Sequence, residues 1–159
     1  MNFKELFGNY SQKGKVVVIG IRPKRLEPLI FIPQVMALKD IGLEGDRYKN
    51  LGGPRQVTLI QAEHLDSIAS FLGKKMIDPS LTRRNIVVKG INLLSLKEKQ
   101  FRVGDAVLEY SGECHPCSRM EENLGPGGYN AMRGHGGITA KVIEGGTIRE
   151  GDDITPIST

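Results

Sequence analysis

Short β-branched runs separated by turn residues dominate this chain, and only one stretch carries a helical repeat of useful length. Residues 15–21 read KVVVIGI, whose branched side chains favour extended backbone, and Pro23 limits the run. Pro28 and Pro33 break up the next stretch, after which residues 34–38 predict a second strand before a turn over 42–46. Further strands are expected at 56–60, 86–88, 101–103, 106–110, 138–143 and 153–157. Leu65, Ile68, Ala69 and Leu72 recur at three- and four-residue spacing and predict a helix that ends at Gly73. Asp78 and Pro79 have the form of a cap and a first helical residue, so a short helical turn should carry Arg83 and Arg84 into the 86–88 strand. Repeated crossover helices are missing, which favours a mostly β, distorted barrel with a few short helices over a parallel α/β sheet.

A length of 159 residues suits one domain that buries its own core without staples. The expected organisation is an N-terminal extension at 1–14, a domain at 15–157 and a tail at 158–159. Neither a secretory signal nor a membrane-length apolar run is evident, so a soluble, cytoplasmic protein is expected, with no membrane partner. The formal charge is +4, and the basic excess is N-terminal: residues 1–75 carry 12 Lys and Arg against 7 acids, and residues 76–159 carry 10 against 11. There is no long basic run and no aromatic ladder for stacking bases, which argues against nucleic-acid binding. Gly20 is followed by Ile21, Arg22 and Pro23 rather than by the spaced glycines of a dinucleotide loop. The GPGG at 125–128 lacks the Lys and Ser or Thr of a phosphate-binding P-loop.

The only two cysteines, Cys114 and Cys117, flank His115 and Pro116. Three chemistries remain open for them. A zinc site needs about four ligands, which would have to come from this pair and two of His64, His115 and His135. A dithiol couple has the right spacing, but in a thioredoxin-like fold it opens a helix near the start of an α/β unit. The third possibility is one reactive sulfur acting as nucleophile, sulfur acceptor or soft metal ligand. Cys117 is the better candidate for that role, because the following SRMEENL can begin a helix and Arg119 adds positive charge.

The segments GLEGDRY at 42–48, RQVTLIQAE at 55–63, LTRRNIVVKGINL at 81–93, FRVGDAVLE at 101–109, PCSRME at 116–121 and RGHGGITAKVIEGGTIREGD at 133–152 follow one another in order. Together they resemble the MOSC domain, named for the C-terminal domain of molybdenum-cofactor sulfurase, and especially its small stand-alone bacterial members. The resemblance implies a distorted β-barrel used for sulfur transfer or for binding a molybdenum-pterin cofactor. The family cysteine aligns with Cys117, whereas Cys114 is not the main family position.

From that resemblance follow two roles for Cys117. As a sulfur carrier it accepts sulfane sulfur from a separate cysteine desulfurase and presents it to a molybdenum-cofactor enzyme or biosynthesis protein, since no segment corresponds to the pyridoxal-phosphate domain of larger relatives. Alternatively it ligates molybdenum, either in a component that reduces N-hydroxylated compounds with a separate electron-transfer protein, or in a non-enzymatic protein that binds and delivers the cofactor. In both cases Arg83, Arg84 and Arg133 are expected to hold the pterin phosphate through their planar donor arrays. Arg83 and Arg84 are favoured over Arg133, although one of the two could instead anchor Asp78 or Asp105. Asn85 is expected to orient a polar ligand or its neighbouring loop, with a local turn hydrogen bond as the plain alternative; His135 reads as a surface or loop-stabilising residue ahead of one that supplies a polar contact or proton to the cofactor. Asp46 and Glu63 read as turn or surface carboxylates, and residues 125–137 as a glycine-rich loop able to close over a ligand.

Overall fold

The computed structural model describes residues 1–48 and 51–157; the expected tail at 158–159 lies outside them. Eleven strands are present among these residues: β1 Gly14–Ile21, β2 Ile30–Ile32, β3 Gln34–Leu38, β4 Gly42–Leu43, β5 Val57–Gln61, β6 Ile86–Lys89, β7 Gln100–Val103, β8 Ala106–Glu113, β9 Ile138–Glu144, β10 Gly146–Arg149 and β11 Asp153–Pro156. The helices are α1 Phe3–Gly8, α2 Ala62–Phe71, α3 Ser118–Leu124 and α4 Gly128–Met132, with 3-10 turns at Pro79–Thr82 and Leu93–Leu96. No helix among the described residues is long and apolar enough to cross a membrane.

Seven strands close into a barrel in the order β11-β7-β8-β9-β5-β6-β1, sealed where Gly14 and Lys15 of β1 pair with Ile154 and Asp153 of β11. β2 adds to β1 through Ile19↔Ile32, and β10, β3 and β4 form a small separate sheet. All pairings are antiparallel except β5 with β6, whose connection runs through α2. That single crossover is why the chain does not build a parallel sheet.

Strand alternation divides the apolar side chains between two cores. In β5, Val57 and Leu59 point into the barrel, whereas Ile60 faces outward to a helical layer; in β6, Ile86 and Val88 point in and Val87 out. All five residues of β5 are buried because both of its faces are covered. A register shift between Val16 and Val18 lets β1 send both Val16 and Ile19 into the barrel despite their odd spacing. The outer core contains Leu65, Ile68 and Ala69 of α2, Met120 and Leu124 of α3, and Ala131 and Met132 of α4. Each Leu, Ile and Met side chain among them contributes roughly 1.5–3 kcal/mol by leaving water. This packing seats α3, and the cysteine turn before it, on the outside of β5 and β6.

Several elements differ from the expectation at their edges. Residues 42–46 were expected as a turn, but Gly42 and Leu43 pair with β3. The glycine-rich segment 125–137 contains α4, whose five residues are too few to show a period. The end of the 133–152 segment, where no strand beyond 138–143 was expected, includes β10, which pairs along β3 from Gly146↔Ala37 to Arg149↔Gln34. Phe3–Gly8 is a helix because Asn2 and Glu5 cap each other's backbone N–H reciprocally. Tyr10 then packs on the barrel core and donates its hydroxyl to the Ser95 carbonyl.

Candidate functional site

β8 ends at Glu113, and the next four residues turn the chain into α3. Cys114 is buried and its N–H donates to the Gly137 carbonyl at 2.8 Å, whereas Cys117 is exposed in the N-cap position of α3. Both are free thiols. The turn lies close against the 133–137 segment: a Cβ at Gly136 would stand 2.1 Å from the Cys114 carbonyl oxygen. Gly137, at φ +87°, would place a Cβ 1.9 Å from the Leu59 carbonyl oxygen. The double glycine is therefore a packing requirement, because only a residue without a side chain allows that approach.

Arg84 holds the turn from inside. Its Nε donates to the Gly136 carbonyl at 2.8 Å, its Nη1 to Thr82 at 2.9 Å, and its Nη2 to the carbonyls of Cys114 at 3.1 Å and His115 at 3.4 Å. The side chain is buried, and no carboxylate among the described residues is bonded to it. Burial lowers its pKa, the Cys114 and Cys117 thiols oppose that shift, and Arg55 and Arg22 add to it. A second guanidinium approaches the same residue at its side chain, with Arg55 Nη2 3.5 Å from Cys114 Sγ.

Arg83 occupies the left-handed region at φ 58° as the cap of the 79–82 turn, which sends its side chain away from Arg84 and onto the Glu27 carbonyl. Its pKa is lowered first by burial and then by the positive charges of Arg119, Arg22 and Arg47, with Asp46 opposing. Arg83 thus shares an arginine cluster with Arg119, Arg22 and Arg47, in which the Arg47 N–H donates to the Arg22 carbonyl at 2.7 Å. Within it only Arg22 has a carboxylate partner among the described residues: Nη2 lies 2.9 Å from Asp46 Oδ2, and both side chains are shut from solvent. Asn85 ties the cluster to the barrel. Its Oδ1 accepts from the Thr58 N–H at 3.0 Å and from Thr58 Oγ1 at 3.1 Å, and its Nδ2 donates to the Gly20 carbonyl at 3.1 Å and to Asp46 Oδ1 at 3.3 Å.

The residues expected at a site thus fall into two groups. Of Arg83, Arg84 and Asn85, only Arg84 contacts the cysteine turn, with its donors committed to backbone carbonyls; Arg83 bonds the Glu27 carbonyl and Asn85 is a buried link to Thr58, Gly20 and Asp46. Arg133 and His135 belong to the 133–137 segment packed on the turn, but the His135 ring faces α2. His135 Nδ1 is 2.9 Å from the Arg133 carbonyl oxygen, and its ring meets His64 edge-on at 4.8 Å and Phe71 at 5.5 Å. The sequence reading of Asp46 as a turn or surface carboxylate is corrected by its burial against Arg22. Asp78 caps the Ser80 N–H and Asp105 pairs with Arg149 at 3.3 Å, so neither anchors Arg83 or Arg84. Glu63 accepts from the Gly90 N–H at 2.9 Å.

Sequence reasoning missed Arg22, Arg47 and Arg55. Arg47 and Arg55 stood inside the quoted GLEGDRY and RQVTLIQAE segments, but their convergence depends on long-range closure of the barrel. Beside Cys114, a cleft of about 20 Å³ is lined by Gln61, His64, Glu113, His115 and Gly136. It has room for roughly one water, and none of the arginines lines it. Among the described residues no group of three or more His, Cys, Asp or Glu converges as a metal site, so the zinc alternative lacks its ligand set.

Residues 46–155 match the family model described as MOSC domain. The structure resembles the YuaD protein from Bacillus subtilis, at 22% identity over 90% of this chain and 94% of that one, with a TM-score of 0.78. It also resembles YiiM from Geobacillus stearothermophilus, at 18% identity over 91% of this chain and 75% of that one, TM-score 0.74. For YiiM from Escherichia coli the values are 21%, 91%, 70% and 0.67. At these identities the likeness is one of fold. No curated protein matches this chain.

Proposed function

Because this chain belongs to the MOSC domain family, we propose that it is a sulfur carrier in molybdenum-cofactor chemistry, with Cys117 as the acceptor sulfur. The observation that carries this reading is an exposed thiol two residues before Arg119, a member of an arginine cluster in which only Arg22 has a carboxylate partner among the described residues. Cys117 has no side-chain capping bond to break and is reachable by a donor protein. The Cys117 thiolate attacks the outer sulfur of a desulfurase persulfide, the donor's S–S bond breaks, and the donor cysteine leaves as thiolate.

The donor set suits a molybdenum-pterin cofactor. Arg47, Arg83 and Arg119 would hold its phosphate, since guanidinium groups match phosphate geometry, and Cys117 is the soft ligand that suits the metal end. When bound, the cofactor supplies the sulfur-accepting and redox centre. Arg84 and Asn85 would act beneath that surface, the first by fixing the turn and the second by fixing the Arg22–Asp46 pair. The cleft on the His64 side is too small to house such a group.

Molybdenum and pterin content of anaerobically purified protein tests the binding half. Arg83→Gln together with Arg119→Gln should lower both and leave the fold intact, as judged by circular dichroism. Equal content in the double variant and the parent would remove the arginine cluster from the account. Loss of bound molybdenum in Cys117→Ser, with neither a sulfur adduct nor released sulfide ever found for the parent, would instead favour direct ligation in a reductase component or delivery protein.

A further inference from the structure

The buried cysteine has surroundings that the carrier role of Cys117 does not use. Cys114 Sγ accepts from Arg55 Nη2 at 3.5 Å, and Arg84 bonds the Cys114 and His115 carbonyls while standing in electrostatic range of both thiols. The thiolate is the reactive form of cysteine, and Arg55 supplies a donor to the Cys114 sulfur. Cys114 is fixed at both backbone polar groups, by the Gly137 carbonyl and by Arg84. The Cys117 side chain is exposed and makes no capping bond, so it is the mobile member of the pair. Two residues separate them, the spacing at which a resolving thiol reaches its partner.

We propose that Cys114 is the resolving thiol of this site, releasing sulfur held on Cys117 as hydrosulfide. The inference rests on Cys117 as sulfur carrier. The Cys114 thiolate attacks the inner sulfur of the Cys117 persulfide, a Cys114–Cys117 bond forms, and the bond to the outer sulfur breaks. The outer sulfur leaves with the bonding pair and its proton as hydrosulfide; it is reduced as the Cys114 sulfur is oxidised. A dithiol reductant of the thioredoxin class or a low-molecular-weight thiol then returns the disulfide to two thiols for another cycle. Arg55 is the positioning residue for the attacking sulfur.

The full chain, loaded by a cysteine desulfurase and L-cysteine under anaerobic conditions without added thiol, tests this directly. The parent should release sulfide as it gains a Cys114–Cys117 disulfide, read by sulfide assay and peptide mass. Cys114→Ser should keep the sulfur on Cys117 and lose sulfide release until dithiothreitol is added. Arg55→Gln, a change at an exposed residue, should load Cys117 normally and form the disulfide more slowly, which keeps the test valid should Cys114→Ser fold poorly. Equal release from the parent and Cys114→Ser, or equal disulfide rates in the parent and Arg55→Gln, would overturn the resolving role alone. A parent chain that releases no sulfide together with a Cys114→Ser chain that takes no sulfur on Cys117 would overturn the carrier reading and this inference together.

Discussion

Arg22 and Asp46 form an ion pair shut away from solvent, with Nη2 2.9 Å from Oδ2 and Nε 3.2 Å from Oδ1. Asp46 Oδ1 also accepts the Arg22 backbone N–H at 2.6 Å. The carboxylate thereby neutralises the innermost charge of the arginine cluster and leaves the outer arginines to an anionic ligand. Asp46→Ala strands a buried guanidinium and should cost about 3–5 kcal/mol. Urea denaturation measures it; a change within error of zero would mean that Arg22 finds other compensation.

Arg84 serves four carbonyls at once, and its role depends on the shape of its fork as much as on its charge. In Arg84→Ala each carbonyl left buried without a donor costs about 1–3 kcal/mol. Arg84→Lys should recover little, since an ammonium cannot reach several directions in one plane. Melting temperature and the alkylation rate of Cys114 report the two consequences, loss of stability and loosening of the turn. Full recovery by lysine would contradict the geometric argument.

Gly136→Ala puts a methyl group where the Cys114 carbonyl oxygen already stands, at 2.1 Å. Backbone on both sides must move, so this substitution should destabilise the chain and displace the cysteine turn, while Gly134→Ala, with nothing within 4 Å but φ +78°, should cost only backbone strain of about 1–3 kcal/mol. Comparing the two by thermal unfolding separates crowding from strain.

His64 gives the fold a pH dependence. Burial is the first cause lowering its pKa from the ordinary value of 6.5, His135 is the second, and Glu63 acts in the opposite direction. The unfolded chain therefore binds the proton more readily than the folded one. The stabilisation is complete above pH 6.5 and is lost as pH falls from there through the lower folded value. Melting temperature should be flat above neutrality and decline on acidification, and His64→Gln should flatten that decline. An unchanged decline would assign it to other groups.

The barrel was legible because its signals are local: β-branched runs between turns, and a single apolar stripe for α2. β10 and α4 were not, since four or five residues carry too little periodicity to register against glycine-rich surroundings. The site was legible only in part. Cys117 and the Arg83–Asn85 run could be read from ordered motifs, and the N-cap position of Cys117 followed from the helix after it. The division of labour within that run could not. Arg83 turns outward because its backbone is left-handed, Arg84 turns inward to carbonyls 52 and 30 residues away, and neither fact has a local signature. Arg133 and His135 share a glycine-rich segment with the site in sequence, but α4 carries them toward α2, where His135 meets His64 and Phe71.

The most direct measurement is peptide-resolved mass spectrometry of the full Cys114→Ser chain after incubation with a cysteine desulfurase and L-cysteine, because this variant should trap the carried sulfur. The account predicts a single added sulfur on Cys117, absent when Cys117→Ser is combined with it. Sulfur that never appears on Cys117, in this variant or in the parent, would contradict the central claim that Cys117 is the acceptor.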